Sequence, residues 1–136
     1  MNKITIYKQL RIWQKGIEIV KNIYSLTREF PKDELYGLTS QIKRSSISIP
    51  SNIAEGFKRN HIKEYKQFLH IALGSAAELE TQLVIAEKLN LVDAKRVKVI
   101  NENIDHLSRM ISTLLNKLRT THYLSKENSS SISNTR

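Results

Sequence analysis

Apolar residues recur every three or four positions along most of this chain, and the recurrence predicts four helices. In the first, Leu10, Trp13, Ile17, Val20, Tyr24 and Thr27 step by three and four and lay one stripe along a helix. A second stripe runs beside it through Ile12, Ile19, Ile23 and Leu26, with Gly16 in the gap. A helix in a small monomeric bundle needs one stripe, so the extra width points either to a subunit interface or to a deeply buried helix. The second pattern is Leu35, Leu38, Ile42, Ser45, Ile49, Ile53 and Phe57. The third is Tyr65, Leu69, Ala72, Ala76, Leu79, Leu83 and Ala86, with small residues clustered at Ala72, Gly74, Ser75, Ala76 and Ala77 that let a neighbouring helix come close. The fourth is Val97, Ile100, Ile104, Leu107, Ile111, Leu114 and Leu118. No strand-like alternation competes with these patterns.

The breaks are harder to place. Pro31 ends the first helix, and Asp33 is the expected N-cap of the second. That helix then meets SSISIPSNIAEG, Ser45 to Gly56, a run of poor helix formers around Pro50. Helical phase survives the proline. One reading is a single helix from Asp33 to about Phe57, kinked near Pro50, with serine hydroxyls offsetting part of a cost of about 3 kcal/mol. The other breaks the helix there, with Asn52 as N-cap and Glu55 completing a capping box. Gly56 is the expected helix end, and Asn60 or His61 the next start. Asp93 is the expected N-cap of the fourth helix. Short connections make consecutive helices antiparallel, so the fold class is all-α, an up-down-up-down four-helix bundle over residues 1–123. The serine-rich stretch 124–136 reads as a disordered polar tail.

Charge changes the picture. The chain of 136 residues carries 22 basic and 13 acidic side chains, a formal net charge of +9. Such a surplus favours polyanionic partners, nucleic acid or an anionic membrane surface, or else simply solvates the protein. There is no cysteine, which excludes disulfides, thiolate nucleophiles and thiolate metal sites. The N-terminus lacks a signal-peptide core, and no apolar run approaches the roughly 18 residues that span a bilayer. A cytoplasmic protein without a membrane partner is expected.

Catalytic patterns are missing. A di-iron site in such a bundle needs Glu-x-x-His pairs on facing helices, and only Glu102 with His106 comes near one. There is no phosphate-binding loop, nucleophile elbow or dinucleotide fingerprint. No enzymatic activity, cofactor or metal is therefore expected. The basic residues carry more information. Lys58, Arg59, Lys63 and Lys66 cluster around the second connection, Lys43 and Arg44 precede the proline, and Lys117 and Arg119 lie late in the fourth helix. An antiparallel bundle gathers Lys58, Arg59, Lys63, Lys117 and Arg119 with Lys8 and Arg11 at one end. Lys95, Arg96 and Lys98 open the fourth helix, where cations oppose the helix dipole and so serve a partner or merely solvate the surface. Aromatic rings at the gathered end are few (Phe57, Tyr65 and Tyr123), so contacts to phosphate rather than base readout are expected.

The stretch Gly37 to Arg59, GLTSQIKRSSISIPSNIAEGFKR, closely resembles the signature of the four-helix-bundle family named after the intervening sequences of 23S ribosomal RNA. Tyr36, Gly37, Leu38, Gln41, Arg44, Ser48, Ile49, Pro50, Asn52, Ile53, Ala54, Glu55, Gly56 and Arg59 all fit its pattern. Leu10 to Lys15 resembles the family's first helix and Phe68 to Leu83 its third, so the resemblance covers roughly residues 8–120. It implies a left-handed bundle assembled as a ring-shaped homopentamer. It also suggests kinship with the accessory proteins of diversity-generating retroelements, basic pentameric bundles that bind nucleic acid and a reverse transcriptase.

Within the motif, Arg44, Ser48, Asn52, Glu55 and Arg59 step by three and four and form a polar stripe beside the apolar one. The stripe reads either as a functional cluster reaching a neighbouring subunit or as a hydrogen-bond network that fixes packing. The function expected is that of a non-enzymatic oligomer binding nucleic acid, RNA in preference to DNA. Lys43, Lys58, Arg59, Lys63, Lys66, Lys117 and Arg119 would contact phosphates. The alternative is a protein-interaction scaffold or adaptor whose partner is another protein.

Overall fold

A computed structural model describes the backbone of residues 4–133 and the side chains of residues 4–119. Four helices make up the fold: α1 (Arg11–Thr27), α2 (Leu38–Lys58), α3 (Ile62–Lys88) and α4 (Ala94–Ser133). No strand occurs among the described residues. Helices α1 and α3 each pack against both α2 and α4, and among the described residues the backbones of the two diagonal pairs stay farther apart. The stretch 124–136, expected to be a polar tail, lies outside the residues with described side chains.

The core settles which stripe of α1 points inward. Ile12, Gly16, Ile19, Ile23 and Leu26 are buried, whereas Trp13, Ile17, Val20 and Tyr24 of the neighbouring stripe are only half-buried. The α3 pattern is as the spacing predicts: Leu69, Ala72, Ala76, Leu79, Leu83 and Ala86 are all buried. Its small residues divide. Ala72, Ser75 and Ala76 face the core, while Gly74 and Ala77 face outward. In α4, Val97, Ile100, Ile104, Leu107 and Ile111 are buried, and Leu115 rather than Leu114 continues the inner face.

Helix α2 answers the question raised by its serines. It runs unbroken through Pro50, with Ser45, Ser46, Ile49, Pro50, Ile53 and Gly56 buried on one face. The proline sits against Gly16 of α1, where an added Cβ would lie 3.2 Å from the Pro50 Cβ. A small residue on α1 thus makes room for the ring. Two expected boundaries are corrected. Asp33 does not cap α2: Lys32–Glu34 forms a single 3-10 turn, the chain swings outward through an exposed Leu35 and Tyr36, and the helix begins after Gly37. Gly56 does not end α2 either. It lies inside the helix, and a Cβ there would fall 2.6 Å from the Phe68 Cβ, so α3 crosses α2 at this point. The turn that ends the helix belongs to Asn60, whose φ of 54° is left-handed, and His61 is the N-cap of α3. Asn90, with φ of 60°, ends α3 in the same way. Both fit the tolerance of asparagine for this region. Asp93 caps α4 as its position predicts, its Oδ1 accepting from the Arg96 N–H at 2.8 Å.

Candidate nucleic-acid interface

The segment ahead of α1 is strapped to the bundle. The Thr5 N–H donates to Gln9 Oε1 at 2.9 Å, and Gln14 Nε2 donates to the Lys8 carbonyl at 3.0 Å. These bonds hold Tyr7 edge-on to Trp13, with ring centroids 5.4 Å apart. Lys58, the last residue of α2, extends its Nζ over the Tyr7 ring at 5.6 Å. The end of α2 and the start of α1 therefore share one end of the molecule. Between them opens a cleft of about 560 Å³ lined by Tyr7, Lys8, Phe57, Lys58 and Asn60. A second cleft of about 370 Å³ adjoins it across Phe57 and Asn60, bounded by Gly56, His61 and Tyr65. Phe57 and Tyr65 meet edge to face at 6.0 Å. The Tyr65 hydroxyl is enclosed without a hydrogen-bond partner among the described residues, and burial pushes its pKa up to about 12.

The remaining basic candidates fall in different places. Arg59 is exposed, pairs with Glu55 at 3.0 Å and lies 5.3 Å from the Phe68 ring centre. Lys63, in the first turn of α3, is exposed, and Lys66 is half-buried. Arg11 lines a shallow cleft with Lys15, Glu18, His106 and Met110, which sets the start of α1 beside this part of α4. Lys117 and Arg119 are exposed on α4, about 10–14 Å farther along the helix than Met110 at 1.5 Å per residue. Lys43 is elsewhere. Its Nζ sits 4.8 Å from the centre of the Tyr24 ring near the far end of α1, about 22 Å along α2 from Lys58. At that far end Arg96 is paired with Glu29, so part of the charge opening α4 is matched within the chain.

The polar stripe of α2 divides in two. Ser48 and Ser75 hydroxyls lie 2.7 Å apart between α2 and α3, and Asn52 Nδ2 donates to the Ser48 carbonyl at 2.7 Å and to its hydroxyl at 2.9 Å. That part is a half-buried network between helices. The Glu55–Arg59 pair is on the surface, and Arg44 is exposed. Of the serine hydroxyls before the proline, Ser46 Oγ donates locally to the Lys43 carbonyl at 2.8 Å, and Ser45 Oγ donates across to Glu78 Oε2 of α3 at 3.4 Å.

Among the described residues, no group of three His, Cys, Asp or Glu side chains could hold a metal, and no helix is long and apolar enough to cross a membrane. The sequence model of the 23S rRNA-intervening sequence protein family matches residues 8–113. The chain belongs to that family. A crystal structure of a protein with unknown function from the S23 ribosomal protein family of Bacteroides thetaiotaomicron is similar with a TM-score of 0.69 at 21% identity. The likeness covers 76% of this chain and 97% of that one, and at this identity it speaks for the fold alone. No curated protein matches significantly. For this member of the 23S rRNA-intervening sequence protein family, Tyr7 and Trp13 are additions that the sequence did not assign to the basic end. Trp13 reads as one more apolar stripe position. Tyr7 precedes the periodic part of the chain and reaches Lys58 only through the tertiary fold.

Proposed function

We propose that this protein is a non-enzymatic, oligomeric nucleic-acid-binding protein, acting on RNA in preference to DNA through basic side chains that contact phosphate. The observation that carries the reading is the opening of Lys8 and Lys58 onto one cleft, with Arg59 and Lys63 exposed on the adjoining turn. The +9 net charge gives a long-range attraction to a polyanion. The family's description is tied to an intervening sequence of 23S rRNA and names no partner, so the choice of RNA is our own proposal. Self-association into a ring would repeat the basic end and raise its avidity. Exposed Ile71, Val84 and Ile85 on α3 and Ile47 on α2 offer apolar surface for such contacts. The same residues favour a second reading, in which the protein is a scaffold that docks another protein.

Fluorescence anisotropy across a salt series tests the first reading. Tight binding at low salt is expected, with log K falling linearly against log salt at a slope of about −0.7 per neutralised phosphate on single strands. Reversing Lys58, Arg59 and Lys63 to glutamate should abolish binding. Absence of binding at low salt by an otherwise folded protein would favour the scaffold.

A further inference from the structure

Within the nucleic-acid reading, and resting on it, we infer that the cleft between the N-terminal segment and the α2–α3 corner seats one unpaired nucleotide. Its base lies against the Phe57 ring, and its phosphate lies between Lys8 and Lys58. Charge alone would call only for exposed lysines. This end has instead a concave site of about 560 Å³, within the range that encloses small ligands, whose wall combines two cations with aromatic surface. Half-buried Phe57 is held by Tyr65, which meets it edge to face. The ring is therefore fixed, and stacking on it needs little reordering. Tyr7 is a poorer stacking partner, because Trp13 lies edge-on to it and Lys58 covers it. The contact of Lys58 with Tyr7 is a weak one at an exposed site, so the ammonium is free to turn toward a phosphate. Asn60, also on the wall, has an amide that both donates and accepts, as the edge of a base requires.

A base inside a duplex cannot enter such a cleft unless it is first extruded from its stack. The site therefore separates unpaired from paired nucleic acid, which surface lysines cannot do. Every base has a stackable face, so the site tolerates sequence.

The test uses the full chain with two probes of the same sequence, a single-stranded RNA carrying one 2-aminopurine and the blunt duplex made from it. Trp13, the single tryptophan of the chain, touches Tyr7 at the cleft and supplies an intrinsic signal. The single strand should bind about tenfold more tightly than the duplex at equal salt, quench the 2-aminopurine and shift the Trp13 emission. Phe57→Leu should remove the preference and the quenching while leaving duplex binding intact. Lys8→Gln, at an exposed position, should lower the salt slope for the single strand by about 0.7 without changing the fold. Equal affinity for both probes, or a preference that Phe57→Leu leaves unchanged, overturns the cleft while leaving phosphate binding standing. Failure to bind either probe at low salt overturns the nucleic-acid reading, and the cleft with it.

Discussion

Two glycines show how far a residue's role depends on what faces it. A Cβ at Gly56 would fall 2.6 Å from the Phe68 Cβ and 3.3 Å from the Tyr65 carbonyl oxygen, and neither atom can move aside by changing rotamer. Gly56→Ala must push α2 and α3 apart. Overpacking of this kind costs about 1–3 kcal/mol, against a gain of about 1 kcal/mol in helix propensity. A net loss of up to about 2 kcal/mol is expected in urea unfolding. Gly74, in α3, has nothing within 4 Å of its Cβ position. Gly74→Ala should stabilise the protein by about 0.5–1 kcal/mol, since only the propensity gain remains. The same substitution thus changes sign between two adjoining helices. The sequence could not supply this difference: in it Gly56 reads as a helix end and Gly74 as one of a cluster of small residues, and neither reading shows what faces the position across the helix pair.

At the scale of elements, the outer edge of α3 against α4 carries a pH dependence. Burial, and secondarily the negative charge of Asp105 across the helix pair, raises the Glu80 pKa above its ordinary value. A carboxyl whose folded-state pKa is raised contributes stability at low pH that is lost as pH rises through the folded pKa. Glu80→Gln should therefore stabilise the protein at pH 7, by less than about 1 kcal/mol because the group is partly solvated, so that Tm rises there and stays unchanged below about pH 4. Thermal melts at the two pH values check this. The helices themselves were largely legible. Periodicity located the inner face of α3, and unbroken phase carried α2 across Pro50. What periodicity could not supply was anything fixed by contact between helices. It did not reveal that Gly16 accommodates Pro50, that Gly56 is a crossing point and not a stop, or which of the two α1 stripes faces inward. The candidate site was legible as a set of charges. Its concavity was not, because Tyr7 is brought to Lys58 by a segment outside the periodic pattern.

For the whole molecule, the separation of the basic groups matters more than their number. Lys43 lies about 22 Å along α2 from Lys58, well beyond the Debye length of about 8 Å at physiological ionic strength. The two should behave independently toward a short RNA bound at the Lys58 end. Lys43→Glu is expected to leave the affinity of such an RNA within about twofold, whereas Lys58→Glu should lower it about tenfold or more in the same anisotropy assay. Equal losses from both would mean that the RNA runs along the length of α2.

The paired fits of α2 have a mechanical side. Pro50 fits against Gly16 of α1, and Gly56 admits the Phe68 side of α3, six residues later on the same helix. Sliding α2 by one turn would take the Pro50 ring off Gly16 and put the side chain of Asn52 or Asn60 where Gly56 now meets Phe68. Helix α2 is keyed to its neighbours by one projection, Pro50 against Gly16, and one notch, Gly56 against Phe68. A ligand-driven one-turn ratchet of α2 would have to undo both fits, so none is expected. Movement that accompanies binding is expected instead at the ends of α2, in the turn around Asn60 and in the turn before Leu38.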